Sequence, residues 1–434
     1  MQKKALLALM LALALVLSGC ALVKKDLDVD NATEIINYKG QVVTKGEIQN
    51  QVNYQLNYMA YMYSMYGMQY DPTSAENIAS ARDSVIESYK EQLVSNAKIQ
   101  ELGLDQLTEE DEKQIEENAE KDYQDNLTSI KESNYANSEL SEEEIETKAK
   151  ADLEAAGYSI DEAKKAARTT LLNEKLRKYI VDPVTVSDDE IQTEYNSEVE
   201  TAKTSYAENA SAAASALNNG VEIYYTPEGL RRVKQILVQY DEEHRTAIAD
   251  AQAKVTAAQA ILDDEEASEE DKAKAQTDLE AAQADVDRLT EEAYASIDAE
   301  TDEVLAKIEA GEDWDALTEQ YNDDPGMKSG RATAETGYAV CEGMTTFDAA
   351  FVEAAMGLEK IGDVTGKIRG SSNGYYIIKY IGDVTAGEIG LDAVREEIHE
   401  SLLSDKQDSL YEETIKTWVD EAAKDIKVDA GALN

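Results

Sequence analysis

A chain of 434 residues with a formal charge of -49 at pH 7 is too acidic to hold nucleic acid, whose phosphates it would repel, and long enough for two or three domains. Its two cysteines, Cys20 and Cys341, exclude a disulfide-stapled scaffold, and with only four prolines in the whole chain long helices are favoured. Stability must therefore come from packing.

The first residues read as a targeting segment. Lys3 and Lys4 precede an apolar stretch from Ala5 to Leu17, which is shorter than the roughly 20 residues a spanning helix needs. Residues 1–19 are thus expected to be a signal peptide. Leu17-Ser18-Gly19-Cys20 is similar to a bacterial lipobox, which implies lipidation at Cys20, a polar tether over 20–31 and an extracytoplasmic chain anchored to the cell membrane.

Two short extended runs follow, Ile35-Ile36-Asn37-Tyr38 and Val42-Val43, with Lys39-Gly40 as their turn. Thr44 and Glu47 form a capping-box pair, and helical periodicity then continues to about Ile180, broken at Leu102-Gly103-Leu104 and restarted by Thr108-Glu109-Glu110-Asp111. Asp182-Pro183 ends this run. Val184 to Glu190 leads into one capped helix that is expected to reach Ala216, and Arg232 to Tyr240 has the β-branched content of a buried strand. Between Asp241 and Ile308 the chain contains neither Pro nor Gly. Ala and Leu recur there at helical spacing in two stretches separated by the acidic run Asp263 to Glu270, which predicts an antiparallel helical hairpin, with one long helix as the alternative. Short helices are expected over Trp314 to Tyr321 and Thr346 to Met356. Val364 to Ile368 should pair with Tyr375 to Tyr380 through Gly370-Ser371-Ser372-Asn373-Gly374, before a final helix from Leu391 to Ala423.

Five motifs occur in a particular order: Ile236-Leu237-Val238, Gly311-Glu312-Asp313-Trp314, Tyr321-Asn322-Asp323-Asp324-Pro325-Gly326, Gly343-Met344 with Phe347 and Phe351, and Gly374-Tyr375-Tyr376-Ile377-Ile378-Lys379. In that order they resemble the parvulin-type peptidyl-prolyl isomerases, and the flanking helices with the lipobox resemble the PrsA and SurA foldases. The resemblance implies an α+β fold: a mostly helical chaperone-like domain over 32–226, and a parvulin-like small antiparallel sheet with helices over 227–385. The Ala-rich hairpin (241–308) interrupts the second domain, and 386–434 forms a C-terminal helix packing on the first. It also implies an extracytoplasmic folding factor whose clients are unfolded or proline-containing exported polypeptides, with no cofactor and no metal.

One departure bears on the chemistry. The family places a histidine before Ile-Leu-Val and another after Gly-Tyr in the last strand, whereas this chain has Gln235 and Tyr376 there; its own histidines, His244 and His399, fall elsewhere. Rotation about an X-Pro bond crosses a barrier of about 20 kcal/mol set by amide resonance, and lowering it takes an apolar grip that favours the twisted amide. The resemblance assigns that grip to Met344, Phe347 and Phe351 and the carbonyl side to Asp324, with Gln235 and Tyr376 expected to hydrogen-bond each other. Two readings stay open: a foldase that isomerises, and a holdase whose parvulin-like module is catalytically degenerate. The hairpin would be a partner-binding arm in a third. Tyr54, Tyr58, Tyr61, Met62, Met65, Tyr66 and Met68 form a separate candidate, being either a promiscuous surface for unfolded segments or an internal helix face.

Overall fold

Side-chain caps set most helix starts. In the computed structural model, Thr44, Thr108, Ser141 and Ser187 each accept from the backbone of a Glu or Asp three residues on, whose carboxylate returns to the cap N–H. The structure describes residues 27–371 and 374–433. The expected signal peptide, Cys20 and the turn tip at Ser372-Asn373 lie outside the described residues. The chain divides into two units, 1–185 with 401–434, and 186–400.

The first unit begins with a helical turn, Leu27–Asn31 (α1), so the last five residues of the expected tether are helical, and Asp30 is tied to Lys45. Strands Glu34–Tyr38 (β1) and Gln41–Thr44 (β2) pair through Lys39-Gly40, both at positive φ as a tight hairpin turn requires. Helices follow at Lys45–Met65 (α2), Ala75–Glu101 (α3), Glu109–Asn134 (α4), Glu142–Ala155 (α5) and Ile160–Val181 (α6). Ile36 of β1, Ile48 of α2 and Val94 of α3 share a core, and Leu176 of α6 packs with Ile99 in another.

In the second unit, the single helix expected to reach Ala216 is two, Asp188–Tyr206 (α7) and Ala210–Asn218 (α8), because Asn209 opens a new cap on Ala212 N–H. Strand Tyr225–Thr226 (β3) precedes Arg231–Gln239 (β4). The hairpin is present as Glu242–Asp263 (α9) and Glu269–Glu309 (α10), with Ala251, Ala258, Ala275 and Ala282 buried. Next come Trp314–Tyr321 (α11), Ala332–Thr336 (α12), Tyr338–Val340 (β5), Ala349–Gly357 (α13), Ile368–Arg369 (β6), Gly374–Asp383 (β7) and Gly387–Glu388 (β8). The main sheet runs β5-β4-β7-β6, antiparallel throughout, and β3 pairs with β8. Tyr294 of α10 reaches the Gly370 carbonyl at 2.6 Å under the Arg369 guanidinium, fixing the hairpin on this sheet.

The boundary expected at 226/227 falls inside this unit, since Ala213 and Ala214 of α8 are buried in the core beneath β4 and β5. The Asn218 amide holds both the N–H and the C=O of Ala339, at 2.7 and 2.8 Å, so it occupies the free edge of β5 as a strand would. Asn218→Ala is expected to cost about 1–3 kcal/mol, because two part-buried backbone groups lose their partner; urea unfolding of the two proteins checks this.

Helix Leu391–Ala422 (α14) begins in this unit and ends in the first, where Ile415 packs with Leu176 and Ala422 with the core around Ile36. Strand Lys427–Val428 (β9) then pairs with β1. Among the described residues, no helix is long and apolar enough to cross a membrane.

Candidate functional site

Antiparallel pairing sets which side chains share a face. Gln235 lies opposite Ile378 and Leu237 opposite Tyr376, so Val233, Gln235, Leu237 and Tyr376 point to one side while Ile236, Val238, Tyr375 and Ile377 point to the other. The second face is covered by Tyr294, Ile297 and Val304 of the hairpin with Trp314 and Leu317. The first carries the candidate site.

Asp324 reaches it through the segment after α11. Asn322 Oδ1 accepts from Leu237 N–H at 2.8 Å, and Asp323 N–H donates to Leu237 O at 2.9 Å, so this segment extends the sheet along the edge of β4 that β5 leaves open. Asp324 then accepts three hydrogen bonds: from Gly326 N–H at 2.9 Å, Gln235 Nε2 at 2.7 Å and Tyr338 Oη at 2.9 Å. A carboxylate only 8 % exposed needs such donors, because an unpaired buried charge is strongly disfavoured.

Gln235 is 6 % exposed, and its Oε1 is buried with no partner. The expected bond between Gln235 and Tyr376 is therefore not formed. The amide turns to Asp324, whose negative charge is the stronger acceptor, and the Tyr376 ring meets Phe351 edge-on at 5.4 Å. Neither histidine belongs to the strands or the loop that carry this cluster. His244 pairs with Asp241 at the start of α9, and His399 lies on α14.

The expected proline grip is closed. Met344 is 4 % and Phe351 1 % exposed; Phe347, half-buried just before α13, meets the Tyr338 ring at 4.9 Å and the Phe351 ring at 5.3 Å, both tilted. Cavities of about 390 and 510 Å³ lie elsewhere on this unit, beside Trp314, Lys234 and Asp315. Their walls include none of Met344, Phe347, Phe351 and Asp324. The Cys341 thiol is buried as well, and burial pushes its pKa up, so it is a poor nucleophile.

Tyr338 carries no signal a sequence reading could use, and Gly326, quoted above only as the end of a motif, acquires its reason here. Tyr338 meets Asp324 only because β5 pairs with β4, and Gly326 is required because a Cβ there would stand 1.8 Å from the Tyr338 hydroxyl. The Tyr338 hydroxyl is held above the usual tyrosine range by burial first, then by the charge of Asp324 and its hydrogen bond. With a folded pKa above the unfolded value near 10, the native state keeps a proton that the unfolded chain releases. That stability is complete below about pH 10 and is lost as pH rises through the folded pKa. Tyr338→Phe should flatten this alkaline limb in part, because other tyrosines raised chiefly by burial, among them Tyr294 (to about 12), Tyr240 and Tyr375, keep contributing to it; urea midpoints measured from neutral to alkaline pH would show it.

No family model matches the chain. Over 180 residues it is 25% identical to foldase protein PrsA of two Clostridium perfringens strains, a stretch that is 41% of this chain and 46% of theirs, so the match spans less than half of those relatives. Among solved structures, a SurA-like chaperone from Campylobacter jejuni aligns over 92% of this chain and 99% of its own, at 13% identity and a TM-score of 0.25. Foldase protein PrsA from Streptococcus pneumoniae aligns over 93% and 97%, at 14% identity and a TM-score of 0.24. The curated relatives carry one of the names that the flanking helices and lipobox resembled: this chain is similar to the PrsA foldases.

Proposed function

We propose that this chain is an extracytoplasmic folding factor, anchored through lipid at Cys20, that holds exported polypeptides while they are unfolded. Its parvulin-like unit serves client contact and structure and is not an efficient prolyl isomerase. The observation that carries the second half is the closed grip: Met344 and Phe351 are almost fully buried, and the Asp324 carboxylate already accepts from Gln235, Tyr338 and Gly326. An isomerase must admit a proline ring and act on its carbonyl side, and here both places are taken by the protein's own groups.

The deciding experiment pairs two assays on the purified chain. In a protease-coupled assay, a proline peptide is expected to relax at its uncatalysed rate, over tens of seconds. In the other, aggregation of a reduced, unfolded client is expected to be suppressed. A relaxation rate that climbs in proportion to protein concentration would overturn the non-catalytic half, and unimpeded client aggregation would overturn the holding half.

A further inference from the structure

Between Ile48 and Tyr70 the chain has no Asp, Glu, Lys or Arg, although 30% of all its residues are charged. Four of its nine methionines and six of its 24 tyrosines fall in that interval. Helix α2 divides the run cleanly. Ile48, Val52 and Leu56 recur at four-residue spacing and face the core. Tyr54, Tyr58 and Met65 face outward with Tyr66 and Met68 beyond the helix end, and exposure rises from 39 % at Tyr58 to 72 % at Tyr66. The Tyr54 and Tyr58 rings lie nearly parallel, 6.3 Å apart. The bordering charges are engaged locally: Lys45 with Asp30, Glu47 in the Thr44 cap, and Asp71 with Thr73. In a chain with 90 Asp and Glu residues, this stripe carries none.

We infer that this outward Tyr/Met stripe is a docking surface for an extended, unfolded polypeptide segment rich in apolar side chains and flanked by basic ones. This rests on the holding activity proposed above and names the place where it acts. Charge selects among the three occupants an apolar stripe can have. A second copy brings another -49 charge, and an anionic bilayer repels the same field while the stripe offers it no Lys or Arg. A segment with Lys or Arg beside its apolar residues is drawn toward the acidic body and then meets an uncharged contact line. Thioethers and phenol rings suit such a partner, since Met reshapes to varied side chains and Tyr combines apolar area with a polar tip. From Tyr54 to Met65 the stripe runs about 16 Å along the helix, the span of about five residues of extended chain.

The test compares the purified chain with a variant carrying Tyr58→Ser, Met65→Gln, Tyr66→Ser and Met68→Gln, all at exposed positions. The probes are two fluorescent unstructured peptides of the same Leu, Phe, Ser and Gly content, one flanked by Lys and the other by Glu. The chain is expected to bind the Lys-flanked peptide more tightly, and the variant to lose about tenfold in affinity with an unchanged helical circular dichroism spectrum. A benzophenone side chain in place of Tyr66 should cross-link to that peptide. Unchanged affinity in the folded variant, equal binding of both peptides, or a stripe-dependent gain of self-association or of binding to phosphatidylglycerol vesicles would each overturn the inference. Should the variant lose no affinity while the parent still suppresses client aggregation, only this surface is wrong; if the parent holds neither client nor peptide, the holding activity itself is wrong.

Discussion

Phe351→Ala is expected to lower the stability of the second unit by about 3–5 kcal/mol, the range for removing a fully buried aromatic side chain from a core. Phe351 is 1 % exposed and touches Phe347 and Tyr376 through ring contacts, so truncation leaves a cavity and removes two aromatic contacts at once. A residue lining an open proline grip would behave differently, its loss weakening client turnover with little effect on folding. The two tryptophans separate the units. Trp314 lies in the second and Trp418 in the first, so in a Trp418→Phe background the emission of Trp314 follows unfolding of the unit that holds Phe351. A urea midpoint that does not move on Phe351→Ala would mean that the grip is open in solution, and the isomerase reading would return.

Local chemistry made much of the fold legible. Capping pairs such as Thr44 with Glu47 and Thr108 with Asp111 announce helix starts within a few residues, and the Ala-rich stretches on either side of Asp263 to Glu270 fold as the expected hairpin. The expected pairing of Val364 to Ile368 with Tyr375 to Tyr380 is present as β6 on β7 with a bridge from Val364 to Lys379, whereas the pairing of β4 with β7 had no reading in the sequence. What the sequence hid is what depends on distant pairing. Strands β3, β8 and β9 are two residues each, too short for any period to show; β9 adds to the edge of β1, and β3 and β8 have only each other. Likewise, the resemblance pointed to Gln235 and Tyr376 as mutual partners, and the structure does place them on one face two residues apart in register. Their separation follows from Asp324, whose carboxylate outcompetes a hydroxyl for the Gln235 amide once the Asn322–Asp324 segment lies along β4. The helix starting at Ala210 was hidden for a simpler reason. Ala207 to Asn209 breaks the periodicity without Pro or Gly, so only the Asn209 cap marks it.

Asp324→Ala is expected to cost about 3–5 kcal/mol, because it strands several buried donors at once. Gln235 would then have neither end of its amide paired, the Oε1 being orphaned already, and the Tyr338 hydroxyl would lose the acceptor toward which burial has forced it. Gly326 N–H would lose its cap in the same step. Gln235→Leu alone should cost clearly less, since it removes the orphaned oxygen together with the amide donor and leaves Asp324 with two of its three hydrogen bonds. Combined with Asp324→Ala, the leucine should recover part of the loss, because two stranded polar atoms disappear together. The cycle of the two substitutions should therefore show a coupling of about 1–3 kcal/mol, as for residues within one buried network. Additivity within about 0.5 kcal/mol would mean that the Gln235–Asp324 bond contributes little to stability. The carboxylate would then be free to turn toward a bound peptide carbonyl, and the closed site described here would not be the working one.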